Sequence, residues 1–163
     1  MSIESYRNRL DNAVTYAEVW EIVKDTVKFA LHRHRAGMLL FLDDLPIQLG
    51  AYHPLGTNNI VLNRVLIQIV EATGKPQKVI NALIYNLLLH EYLHALGETS
   101  EATVRELVSG IAEKCFGKDH AAARVALKSP WALLEGIPLD TVNVSGRVME
   151  IVKDFEKTDR YIV

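Results

Sequence analysis

Five consecutive residues, His90-Glu91-Tyr92-Leu93-His94, carry the most readable chemistry in this chain. The pattern H-E-x-x-H sets two imidazoles four residues apart, with a carboxylate next to the first. On a helix, positions i and i+4 share a face, so both rings aim at one point. Neutral imidazole nitrogens at about 2.0–2.1 Å suit Zn2+. Glu91 projects beside that point and can reach a water that the metal acidifies. A carboxylate so placed takes the water's proton as it attacks a carbonyl. The neighbouring residues sharpen the reading. The stretch is rich in Leu and Ile, and each polar group buried there costs a few kcal/mol without a partner. A bound cation removes that cost. The plainer alternative is two histidines satisfied by ordinary hydrogen bonds, with Glu91 in a salt bridge.

The motif needs a rigid helix, and the sequence supplies one. Gly74-Lys75-Pro76 interrupts the chain, and proline suits a first helical turn. From about Pro76 to Leu96 nearly every face is apolar, which predicts a helix in the centre of a fold. Gly97 stands where a C′ glycine belongs. Thr99 or Ser100 can cap the next helix, expected to run to about Phe116. Upstream, residues 4–34 read as helix with a break near Asn12–Thr15, where Thr15-Tyr16-Ala17-Glu18 fits a capping box. Met38–Leu42, Ile47–His53 and Asn59–Leu62 read as strands, the last passing into a short helix over Val65–Glu71. Downstream, helices are expected over His120–Leu127 and Ser145–Glu156. This pattern predicts an α+β fold, helices packed around a small sheet of three strands.

The run His90-Glu91-Tyr92-Leu93-His94-Ala95-Leu96-Gly97 resembles the active-site helix and glycine turn of the zincin metallopeptidases. It is also similar to uncharacterised archaeal zincin-like proteins with an H-E-Y-L-H-x-L-G core. The resemblance implies one zincin-like domain over 1–163. Its parts would be N-terminal helices (1–36), a strand region with a short helix (37–72), the active-site helix (76–96), a following helix (100–116) and a C-terminal helical region (117–163). It implies a mixed sheet of three to four strands above the catalytic helix, and an edge strand that binds an extended peptide. It further implies one Zn2+ and peptide-bond hydrolysis with Glu91 as general base. Metzincins place their third ligand three residues after the glycine, where this chain has Ser100. Gluzincins take a Glu from the next helix, and Glu98, Glu101, Glu106 and Glu113 are available. Glu101 sits on the first turn after the reversal, close to His94 in a helical hairpin, and is the expected third ligand beside His90 and His94. Its plainer role is a carboxylate favoured by a helix N-terminus. His120 competes as a ligand, although an intervening helix of about 16 residues spans roughly 24 Å. Asp119 as an N-cap with His120 in the first turn is the structural alternative.

Composition narrows the function classes. At 163 residues the chain is the size of one domain. It can bury roughly two-thirds of its unfolded surface without disulfides. A single cysteine, Cys115, excludes a disulfide within the chain and suits a reducing compartment. The net charge of −2 gives no electrostatic drive toward nucleic acid or anionic membrane. The N-terminus has no apolar signal core, and His90, Glu91 and His94 interrupt the longest apolar stretch, so no membrane span is expected. A cytoplasmic protein acting on peptides or proteins is the resulting expectation. Two other functions stay open. One is a zinc-dependent RNA hydrolase, since a bacterial ribosomal-RNA-processing family has a similar His-x-x-x-His-x-x-Gly helix, with glycine where this chain has Glu91. The other is a scaffold that holds zinc without turnover.

Other residues have plainer readings. His32-Arg33-His34-Arg35 is expected to end a helix, where cations complement the dipole. His53 could face a cleft and steady a tetrahedral intermediate, or lie exposed on its strand. Tyr92 is expected to pack on a face away from the ligands, and Cys115 to be a small core residue. Neither a glycine-rich phosphate loop nor Gly-x-Ser-x-Gly is present.

Overall fold

The computed structural model describes residues 2–139 and 146–156. Two capped helices begin the chain. Ser2 accepts the Ser5 N–H at 3.1 Å to open α1 (Ile3–Asp11). Thr15 accepts the Glu18 N–H at 3.1 Å and donates to the Glu18 carboxylate at 3.3 Å, the capping box that opens α2 (Tyr16–Leu31). Three strands follow, β1 (Leu39–Asp43), β2 (Ala51–Tyr52) and β3 (Asn59–Asn63), then α3 (Arg64–Ala72). The long helix α4 (Gln77–Ala95) and α5 (Glu101–Phe116) come next, then α6 (Ala121–Lys128), a short 3-10 helix (Pro130–Leu134) and β4 (Glu150–Ile151). The result is an α+β fold with a mixed sheet of order β2-β3-β1-β4. β1 and β3 are parallel, pairing Leu39 with Asn59 through Asp43 with Asn63, and both outer strands run antiparallel.

α4 is the central element. It packs against α1, α2, α3, α5, α6 and the β2–β3 side of the sheet. Its residues from Ile80 to Leu89 are all buried, as are Glu91, Tyr92 and Leu93. Fully burying one such apolar side chain contributes about 1.5–3 kcal/mol, so a helix surrounded this way is held by packing more than by propensity. Trp20 meets the Tyr92 ring edge-on at 4.8 Å and stacks on Phe155 at 4.9 Å. Tyr85 meets Phe116 edge-on and shares a buried hydrogen bond with Thr26 at 2.8 Å. Cys115 is buried as expected, and burial raises its thiol to about 11. Among the described residues, no helix is long and apolar enough to cross a membrane.

The structure corrects several expectations. Residues 146–156 are not helical. They form an extended segment whose Val152 N–H donates to the Leu40 carbonyl at 2.9 Å and whose β4 covers the open edge of β1; Ser145 lies outside the described residues. An unpaired strand edge presents a row of backbone donors and acceptors, and satisfying it outweighs the modest helix preference of this stretch. The Glu156 carboxylate anchors the segment, accepting from the Gly37 and Met38 N–H groups at 3.1 and 2.7 Å and from Lys24 at 3.4 Å.

The second strand is shorter than Ile47–His53. Pro46–Leu49 forms a turn, closed by the Leu49 N–H to the Pro46 carbonyl, and only Ala51 and Tyr52 pair with β3. Asn63 causes this. Its buried amide donates to the carbonyls of Leu45, Pro46 and Leu49, while its oxygen accepts from the N–H groups of Leu45 and Val65. One side chain therefore folds the 45–49 loop and caps α3.

The basic run His32–Arg35 lies beyond its own helix. His32 adopts the left-handed conformation after Leu31, and the arginines reach across to the C-terminus of α4. Arg33 donates to the Leu96 carbonyl and pairs with Glu98 at 3.1 Å, and Arg35 donates to the Ala95 carbonyl at 2.6 Å. Cations do complement a helix dipole here, but it is the dipole of α4.

Candidate metal centre

His90 and His94 occupy the last two turns of α4, with ring centroids 5.0 Å apart. Gly97, at φ 108°, lets the chain reverse, and Ser100 then caps α5 by accepting the Thr103 N–H at 3.3 Å. The reversal sets Glu101 on the first turn of α5, facing both rings. Its carboxylate lies 2.6 Å from His94 Nε2 and 3.1 Å from His90 Nε2. Among the described residues these three form a group with ligand atoms all within 4.8 Å of one another.

The other carboxylates considered are engaged or placed elsewhere. Glu98 pairs with Arg33, Glu113 with Lys118 at 3.7 Å, and Glu106 lines the cleft without joining the group. His120 is remote from the site. It is itself the N-cap of α6, in place of Asp119, accepting the Ala122 N–H on Nδ1 at 3.0 Å. Its Nε2 meets Asp11 at 2.8 Å.

The donor chemistry fits a divalent cation. His94 Nδ1 lies 2.7 Å from the Glu98 carbonyl, which can only accept, so that nitrogen carries the hydrogen. Nε2 then offers a lone pair toward Glu101, and two acceptors at 2.6 Å require a proton or a cation between them. Ligand atoms around tetrahedral zinc lie roughly 3.3 Å apart, close to the His90–Glu101 separations of 3.1 and 3.4 Å. A backbone carbonyl holding the second imidazole nitrogen is the usual outer support of a metal-binding histidine. Arg33 extends that support by fixing Glu98 and the end of α4.

Titration behaviour agrees. Burial pushes the His90 imidazole below its ordinary value, against the pull of Glu101, so the ring is neutral at pH 7. Burial also pushes Glu101 upward, but the two imidazoles together outweigh it and hold the carboxyl below the usual range. Glu91 differs from both. It is 7% exposed, and burial raises its carboxyl to about 7, with only partial relief from His94. Tyr92 turns away from the site, as expected. Its hydroxyl accepts the Arg35 N–H at 2.8 Å and donates to the Arg35 carbonyl at 3.3 Å.

The group opens into a cleft of about 1200 Å3. One wall is α4, and another is the loop and strand from Gln48 to His53, including the edge strand β2. His53 is half-buried and lines this cleft just past β2, its Nδ1 2.8 Å from the Asn59 carbonyl. α5 forms a third wall, and Leu127 and Trp131 close the end away from the α4–α5 turn. Gly50 sits at the seam between walls, where a Cβ would stand 2.8 Å from Leu87 Cδ2 and in ordinary contact with the Trp131 ring at 3.8 Å, so a side chain there would push the Leu87 methyl aside. Periodicity could not reveal Leu49, Leu127 and Trp131 as cleft residues, because they come from a turn, the end of α6 and a short 3-10 helix, and no single repeat connects them.

Comparison with protein-family models, curated proteins and solved structures found no match to this chain.

Proposed function

We propose that this chain is a zincin-like, zinc-dependent peptidase, with His90, His94 and Glu101 as metal ligands and Glu91 as general base. The observation that carries the proposal is the meeting of two imidazoles and one carboxylate in a cleft, with a second, buried carboxylate beside them. Three protein ligands leave a fourth position open, the arrangement of a catalytic rather than a structural zinc. When bound there, zinc acidifies water and polarises a carbonyl.

The chain's own residues supply the rest. Glu91 lies next to His90 on α4 and makes no hydrogen bond among the described residues, so its carboxylate is available for a proton. With zinc bound, the nearby cation would favour the ionised form of Glu91, which can accept a proton from the attacking water and return it to the departing amine. β2 is the outermost strand beside the cleft, and an exposed strand edge binds an extended peptide through main-chain hydrogen bonds.

The decisive experiment compares metal content and peptide cleavage in three proteins. The parent should hold one zinc and cut a mixed peptide library. His94→Ala should lose both properties. Glu91→Gln should keep zinc and lose cleavage by at least about a hundredfold. Equal cleavage by Glu91→Gln and the parent refutes the base assignment. Full zinc retention by His94→Ala moves the site elsewhere. Zinc without cleavage in any assay leaves the scaffold reading, and cleavage of RNA instead of peptide the hydrolase alternative.

A further inference from the structure

Among the described residues, Arg105 stands in the wall of the cleft with no hydrogen bond or ion pair, and its charge reaches His90, whose imidazole it helps to push down. It lies four residues after Glu101 on α5, on the same face and about 6 Å further along the axis. It is exposed, lines the cleft, and makes no hydrogen bond or ion pair among the described residues. Among the described residues it is the sole lysine or arginine lining this cleft. The other arginines near the site are engaged: Arg33 holds Glu98 and Leu96, and Arg35 holds Ala95 and Thr57. Glu106, the next residue, also lines the cleft, but adjacent helical positions point about 100° apart and the two form no ion pair.

We propose that Arg105 anchors a carboxylate of the bound peptide, one or two residues from the reacting carbonyl, and so selects which peptides this cleft accepts. The proposal rests on the peptidase reading above. An extended chain advances about 3.3 Å per residue, so the 6 Å offset from Glu101 corresponds to about two residues. A guanidinium binds carboxylate through two parallel N–H bonds, a match that lysine cannot reproduce. The remaining charged groups of the cleft favour the same outcome. Glu98 and Glu106 make the cleft walls acidic, so apart from the proposed cation at His90, His94 and Glu101 the place where a substrate carboxylate is attracted is beside Arg105. The carboxylate can be the peptide's C-terminus or an Asp or Glu side chain. The first gives an enzyme that trims chain ends, and the second an enzyme that cuts near acidic residues.

Calorimetric binding to the non-cleaving Glu91→Gln protein separates these cases. The probes are one alanine–leucine hexapeptide as free acid, the same peptide amidated, and amidated versions with Glu placed at each position in turn. With Arg105 intact, at least one carboxylate-bearing probe should bind ten- to a hundredfold more tightly than the plain amide. Adding Arg105→Ala should abolish that difference while leaving amide binding within twofold, and Arg105→Lys should restore only part of it. A preference for the free acid assigns the C-terminus, and a preference for one Glu position assigns a side chain. The proposal is overturned if Arg105→Ala leaves every affinity unchanged, if no probe distinguishes acid from amide, or if no probe binds. The peptidase reading is judged separately, by cleavage of the same probes with the zinc-loaded parent. Arg105-dependent binding without cleavage removes that reading and leaves the carboxylate site standing.

Discussion

Replacing Glu91 with Gln should stabilise the metal-free protein, and the gain should depend on pH in a defined way. Glu91 is buried, makes no hydrogen bond among the described residues, and has its carboxyl raised from 4.5 to about 7, burial being the largest cause. In the unfolded chain the carboxyl loses its proton near 4.5, whereas in the folded chain it keeps the proton until near 7. Between those values ionisation favours the unfolded state, so Glu91 destabilises the fold increasingly as pH rises, and its contribution levels off above pH 7. At about 1.4 kcal/mol per pH unit the full effect is about 3 kcal/mol, with roughly 1.4 kcal/mol reached by pH 5.5 and almost nothing below pH 4.5. Gln has nearly the same shape and no charge, so Glu91→Gln should remove this penalty. Urea unfolding of chelator-treated protein, followed by circular dichroism between pH 4.5 and 8, measures the difference directly. Zinc should shrink the gain, because a nearby cation draws the carboxyl back toward its ordinary value. A variant-minus-parent difference that is flat with pH, or that favours Glu91 at pH 8, refutes the claim that this carboxylate is held in an unfavourable environment. Such a cost at one buried position is expected where function, rather than folding, retains the charge.

Other outcomes follow from the same geometry. Zinc occupancy should be retained from pH 8 to about 6.5 and fall below about pH 6, because burial keeps His90 neutral past its ordinary value and protons compete only under it; flat metal content down to pH 5 argues against imidazole ligands. Arg33→Ala should weaken zinc binding about tenfold by loosening the Glu98 carbonyl that orients His94, and Arg33→Lys should recover part of the loss; an unchanged metal titration removes Arg33 from that role. Asn63→Ala should cost about 2–4 kcal/mol, since it leaves several buried backbone groups of the 45–49 loop unpaired; a loss under 1 kcal/mol in denaturant melts means that water replaces those bonds.

Local chemistry in the sequence sufficed for the helices as far as Lys128 and for the position of the motif on one of them. Thr15 with Glu18, Ser100 and Gly97 act within a few residues of themselves, so their effect is visible in one dimension. The same locality makes His90 and His94 share a face, because a helix alone determines their spacing. Choosing Glu101 from the downstream carboxylates required one further assumption, a tight reversal at Gly97, which the chain makes. Tertiary structure alone decided the rest. Glu150 and Ile151 became a strand, where a helix was expected, because β1 had an open edge to fill, a fact stored more than a hundred residues upstream. Arg33 and Arg35 found the end of α4 in place of their own helix, and Asn63 shortened the second strand by holding the carbonyls of a loop that precedes it. The cleft itself, with Arg105 on one wall and Trp131 at its end, brings together residues from four separate segments. A residue's propensity acts on its own backbone, whereas strand edges, helix ends and cavities exist only once distant segments meet, so no window along the chain contains them.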